Sequence, residues 1–83
     1  MMTNKVLIKL YIPFLDSFYD VFIPTNEVVW RIVDLLQKDV FNNSLDGKYA
    51  LVNAITGEIY SANTTIYESN IRNGTELILI KCL

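Results

Sequence analysis

Few side chains in this sequence can do covalent or acid–base chemistry. Cys82 is the only cysteine and there is no histidine. A thiol becomes reactive when a cation, a helix N-terminus or a base favours its thiolate. Lys81 is adjacent, but successive strand residues point to opposite faces, so Cys82 reads as a plain thiol near the chain end. Acid–base catalysis needs two carboxyl groups held in a cleft. Asp16 and Asp20 flank a turn, and Asp34 and Asp39 lie on or near a helix, so all four read as solvated groups. No zinc set can be built from one cysteine without histidine. Asp46-Gly47 lacks the acidic ligands of a calcium loop. Glycines 47, 57 and 74 are too dispersed for a phosphate cradle. Asn63-Thr64-Thr65 and Asn73-Gly74-Thr75 fit the glycosylation pattern, which matters only in a secreted chain. The sequence therefore predicts no catalytic residue, no cofactor and no metal, and the protein is not expected to be an enzyme.

The totals narrow the partners. Eighty-three residues make a single domain, 1–83, with 1–4 expected to be flexible. An apolar content of 52% excludes the composition of a disordered chain. The net charge is -2 and the seven basic residues stand singly, so no cluster is available to neutralise phosphates and nucleic acid is excluded as a partner. The opening Met1-Met2-Thr3-Asn4-Lys5 lacks the apolar stretch of a signal peptide, and no apolar run reaches the eighteen residues of a membrane span. With a single cysteine, these features predict a cytoplasmic protein that does not insert into a membrane.

Hydrophobic periodicity sets the elements. Val6, Ile8, Leu10 and Ile12 share one parity and Lys5, Leu7, Lys9 and Tyr11 the other, the pattern of a strand buried on one face. Pro13 to Ser17 reads as a turn and Phe18 to Ile23 as a second, antiparallel strand with Tyr19, Val21 and Ile23 inward. Pro24 closes that strand, Thr25 or Asn26 offers a helix cap, and Glu27 suits the first turn. Val29, Ile32, Val33, Leu36 and Val40 recur at helical spacing, predicting a helix over roughly 26–39. Residues 42–47 are loop chemistry. Tyr49 to Asn53 reads as a third strand, Glu58-Ile59-Tyr60 as a short fourth, and Glu76 to Cys82 as the last. Between 61 and 75 the chain is polar and irregular, with Ile66 and Ile71 as anchors. A hairpin, one helix and further strands make a two-layer α+β arrangement, a β-grasp with one helix across a mixed four- to five-stranded sheet.

Three stretches carry a family resemblance: Tyr19-Asp20-Val21-Phe22-Ile23-Pro24 leading into the helix with Val29, Val33 and Asp34; Gly57-Glu58-Ile59-Tyr60 followed by Ile66; and Ile71-Arg72-Asn73-Gly74-Thr75-Glu76-Leu77-Ile78-Leu79. In their order and spacing, over about Lys5 to Ile80, they resemble ubiquitin-like proteins, and more narrowly the small YukD/EsaB-type proteins of Gram-positive type VII (WXG100) secretion systems. The resemblance implies a cytosolic accessory or regulatory component of that apparatus, working by protein binding, with no catalytic residues to carry over. The sequence departs from the family at positions 52 and 78, apolar here where the family often carries charge. Two alternatives remain: a stand-alone ubiquitin-like adaptor, and a modifier or sulfur carrier. The latter class works through a C-terminal Gly-Gly tail, whereas this sequence ends Ile80-Lys81-Cys82-Leu83 with no glycine after Gly74.

Strand parity then supplies a binding surface. If Leu77 and Leu79 face the helix, Ile78 and Ile80 face away, and the same argument turns Ala50 and Val52 outward on the third strand and Leu7 and Tyr11 outward on the first. Leu7, Ala50, Val52, Ile78 and Ile80 are thus expected to form one contiguous protein-binding patch, for a secretion component or a second copy as a homodimer. The apolar turn Phe14-Leu15 could instead cover it, and Phe22 with Trp30 make a second candidate surface.

Overall fold

The computed structural model describes residues 4–42 and 46–82. Residues 1–3, the loop positions 43–45 and Leu83 lie outside the described residues, and with them part of the expected flexible start and of the expected loop.

Strand β1 (Lys5–Ile12) and strand β2 (Ser17–Pro24) form the predicted hairpin, in register from Lys5↔Pro24 to Ile12↔Ser17. The turn is a single 3-10 turn, Pro13–Leu15, closed by Asp16 in the left-handed region at φ 47°. Aspartate tolerates that region better than most residues, and its amide donates to the Pro13 carbonyl at 3.0 Å. Strand β3 (Tyr49–Asn53) and strand β4 (Glu76–Lys81) complete a mixed sheet in the order β2-β1-β4-β3, with β1 and β4 parallel and central. One helix, α1 (Val29–Leu35), packs across one face. This is the β-grasp arrangement, with four strands among the described residues.

The buried set follows the alternation. Val6, Ile8, Leu10 and Ile12 of β1, Leu51 of β3, and Leu77 and Leu79 of β4 face Val29, Ile32, Val33 and Leu36. Ile66 and Ile71 are both wholly buried, so the irregular segment between β3 and β4 is pinned by two side chains. Between them, Glu68 Oε1 accepts hydrogen bonds from the Thr65 amide and hydroxyl, while the Glu68 amide donates back to Thr65 Oγ1. These bonds favour the carboxylate and hold the Glu68 pKa below its ordinary value.

Three local expectations are corrected. The helix begins three residues late and takes no cap from Thr25 or Asn26, because the Thr25 hydroxyl and amide both donate to the Asn4 carbonyl. The free amides of its first turn go instead to the carbonyls of Thr64 and Ala62, accepting from Val29 and Trp30 at 2.9 and 3.1 Å. At its other end the helix widens into a π-turn, Leu36–Val40, with the Phe41 amide donating to the Leu36 carbonyl. The extra residue rotates Val40 out to solvent and puts Phe41 into the core, where helical spacing had placed Val40. The fourth strand expected at Glu58–Tyr60 shrinks to one bridge, Val52↔Ile59. Among the described residues no helix is long and apolar enough to cross a membrane.

Candidate functional site

The sheet face opposite the helix is open, and the register decides what it displays. Tyr11 pairs with Phe18 on one side and Ile78 on the other, Ile78 pairs with Val52, and Val52 bridges to Ile59. Phe18, Tyr11, Ile78, Val52 and Ile59 therefore form one cross-sheet row, all on the outer face by strand alternation. Its ends are the most exposed, Phe18 at 79% and Ile59 at 66%, and its middle is half-buried by its own neighbours. The Tyr11 and Phe18 rings stack with centroids 4.6 Å apart. The row after it holds Ile80 opposite Ala50, so the apolar surface extends one step toward the end of β4.

Four of the five expected site residues are thus brought together: Ala50, Val52, Ile78 and Ile80. Leu7 is the correction to the expected contiguity. Asp20 pairs with Lys9 and Lys9 with Glu76, so a charged row crosses the sheet between Leu7 and Tyr11. Leu7 sits beyond it with its register partner Phe22, in a shallow depression of about 400 Å³ that Lys9, Asp20, Asn73 and Gly74 also line. Parity places Leu7 on the right face but says nothing about which row it occupies. Residues 14–15 do not overlie the row: Phe14 is exposed, its ring centroid 5.7 Å from the Lys81 ammonium. Phe22 and Trp30 are both exposed, Phe22 on β2 and Trp30 on α1.

Sequence reasoning missed Phe18 and Ile59 as members of the surface, and it turned Tyr11 outward without placing it in the patch. The hairpin's turn length would have placed Phe18 and Tyr11, because it fixes Tyr11 opposite Phe18. Ile59 joins through the Tyr60 amide donating to the Leu51 carbonyl and the Asn53 amide donating to the Glu58 carbonyl, a local pairing of the segment expected as a fourth strand with β3.

Asp34 pairs with Lys38 at 3.2 Å across one helical turn. Cys82 is an exposed thiol whose backbone amide donates to the Lys48 carbonyl. Among the described residues no three histidine, cysteine, aspartate or glutamate side chains gather as a metal set. On this face the Tyr11 hydroxyl donates to Asp16 Oδ1 at 3.0 Å. That bond, with lesser contributions from desolvation and the nearby negative charge, raises the phenol pKa above 10. The stabilisation belongs to the neutral phenol, so it is complete below the unfolded value near 10 and lost as pH rises through the folded one. Asp16→Gly keeps the left-handed turn and removes the acceptor. Following the Tyr11 ring carbon by NMR from pH 8 to 12, we expect its titration to move back down toward 10; an unmoved midpoint would show that the hydrogen bond is not formed.

No protein-family model and no curated protein matches this sequence. The fold has many solved counterparts. The chain is similar to the N-terminal ubiquitin-like domain of the 4931431F19Rik protein, with TM-score 0.79 and 15% identity over 99% of this chain and 79% of that one. It is similar to the EccD5 ubiquitin-like domain from Mycobacterium xenopi, with TM-score 0.75 and 15% identity over 96% and 99% of the two chains. A chain of the toluene 4-monooxygenase HD complex with the inhibitor 4-bromobenzoate aligns with TM-score 0.78 at 11% identity, over 95% of this chain and all of that one. These likenesses establish the ubiquitin-like β-grasp fold.

Proposed function

We propose that this ubiquitin-like domain is a non-enzymatic protein-binding module, acting in the cytoplasm as a YukD/EsaB-like accessory or regulator of a type VII secretion system. The observation that carries the binding role is the unbroken apolar row Phe18–Tyr11–Ile78–Val52–Ile59 on the open sheet face, continued by Ala50 and Ile80. A row of five apolar side chains spanning the sheet is more than scattered surface hydrophobes, and contiguous apolar surface on a small monomer marks an interaction site. Val52, Ile78, Ile80 and Ala50 are its contact residues, with Leu7 reached only by a partner large enough to cross the charged row at Lys9.

The secretion role rests on the three sequence stretches, and the EccD5 likeness supports it at the level of fold. The test is affinity capture from cells expressing the secretion apparatus, comparing wild type with the Ile78→Lys/Ile80→Lys variant. Secretion components retained by wild type and lost by the variant support both halves of the proposal. Retention of unrelated proteins alone would leave binding and remove the secretion role, while identical capture by both forms removes the site.

A further inference from the structure

The register of the four strands fixes what a second sheet laid on the outer face would meet. Consider the line that runs between β1 and β4, parallel to both strands. Half a turn of a second copy about that line sets β1 over the copy's β4, and β2 over the copy's β3. Each position keeps its row and exchanges its strand, since a two-fold interface places one patch against itself. The apolar row then meets its own kind. Tyr11 faces the second copy's Ile78, Phe18 faces the copy's Val52, and each contact is made twice.

The charged row decides between this arrangement and others. Asp20, Lys9 and Glu76 lie side by side across β2, β1 and β4. The same half-turn sets Lys9 against the second copy's Glu76, again twice. Asp20 meets the copy's Ala54, an exposed residue whose amide donates to the Glu76 carbonyl and so continues the row past β3. No like charges in the row meet. A half-turn about β1 itself would put Lys9 on Lys9 and Asp20 on Glu76, and one about β4 would put Glu76 on Glu76. A line between β1 and β2 would pair Lys9 with Asp20 but leave Ile78 and Val52 beyond the copy's edge. Lys9 and Glu76 are both exposed, and neither has an ion-pair partner among the described residues. Sheets stacked face to face lie about 10 Å apart with strands within about 30°, a gap that a lysine and a glutamate close between them.

We propose that the outer face is a two-fold homodimer interface, with β1 of each copy over β4 of the other and Lys9 paired with the second copy's Glu76. The inference rests on the outer-face row being a binding surface, and it names the occupant. The footprint is small. Four strands about 4.8 Å apart, the longest central one of eight residues at about 3.3 Å each, give a flat patch of roughly 500 Å² per copy. Both copies together give about 1,000 Å², the lower limit of a specific interface. Association is therefore weak and reversible, and the same row opens to another partner when the copies part.

The test is sedimentation of the full chain from about 10 μM to about 1 mM, at low and at high salt. Wild type is expected to pass from monomer to dimer across that range, and less readily in high salt. Lys9→Glu and Glu76→Lys, both at exposed positions, should each weaken self-association at least tenfold without lowering the melting temperature. The Lys9→Glu/Glu76→Lys double variant should recover it. An equimolar mixture of the two single variants should form a heterodimer, because every facing pair is then of opposite charge. Equal self-association of wild type and either single variant would overturn the proposal, as would a mixture of single variants that stays monomeric. A wild type monomeric throughout, beside an Ile78→Lys/Ile80→Lys form that still loses captured partners, would remove the homodimer and leave the binding row in place.

Discussion

Leu79→Ala is expected to lower the melting temperature by about 15–20 °C. Leu79 is 1% exposed and sits in a central strand under the helix. Truncating a buried leucine removes its transfer free energy and leaves a cavity, about 3 kcal/mol together. A domain of this size has only about 4–12 kcal/mol of total stability. Each kilocalorie moves the midpoint of such a domain by about 4–8 °C. Thermal unfolding followed by circular dichroism gives the number, and a shift below about 5 °C would mean that Leu79 is not a core residue. The next position provides the internal control. Ile80→Ala, at a residue 36% exposed, should cost well under half as much.

That two neighbours should behave so differently was legible from the sequence, because strand parity is a property of the backbone alone. Alternation in Val6–Ile12 and in Leu77–Ile80 fixed which side chains meet the helix, and the burial of Ile66 and Ile71 followed from their being isolated apolar residues in a polar stretch. What the pattern could not carry was anything that depends on distant parts of the chain meeting. The helix start is capped by carbonyls more than thirty residues away, so the presence of Thr25 and Asn26 misled. The π-turn adds one residue where spacing assumed none, which exchanges Val40 for Phe41. The candidate surface divides in the same way. Its face was legible and its rows were not, since rows require the register of four strands, and that is why Leu7 was grouped with residues from which Lys9 separates it.

Ile78→Lys is expected to reduce partner affinity about thirtyfold or more while leaving the fold in place. Ile78 stands at the middle of the row, hydrogen-bonded strand to either side, with Tyr11 and Val52 as its cross-strand neighbours. Residues at the centre of an interface, ringed by contacts that exclude water, carry about 2 kcal/mol or more each, and that is about thirtyfold in Kd. A lysine there opposes binding in a second way, because its ammonium must be stripped of water as the partner closes over it. In the free protein the cost is small. The side chain is only half-buried, its aliphatic stem can lie along Val52 and its charge can reach solvent, so the loss is the difference in strand preference, about 1 kcal/mol at most, or some 4–8 °C. Stability and binding thus separate between residues 78 and 79, one losing its partner and the other its fold. Binding measured by calorimetry or by sedimentation for self-association, set beside the melting curves, reads both. Equal affinity of wild type and Ile78→Lys would show that the outer face is not where the partner sits, and a collapse in melting temperature as large as that of Leu79→Ala would show that Ile78 is core.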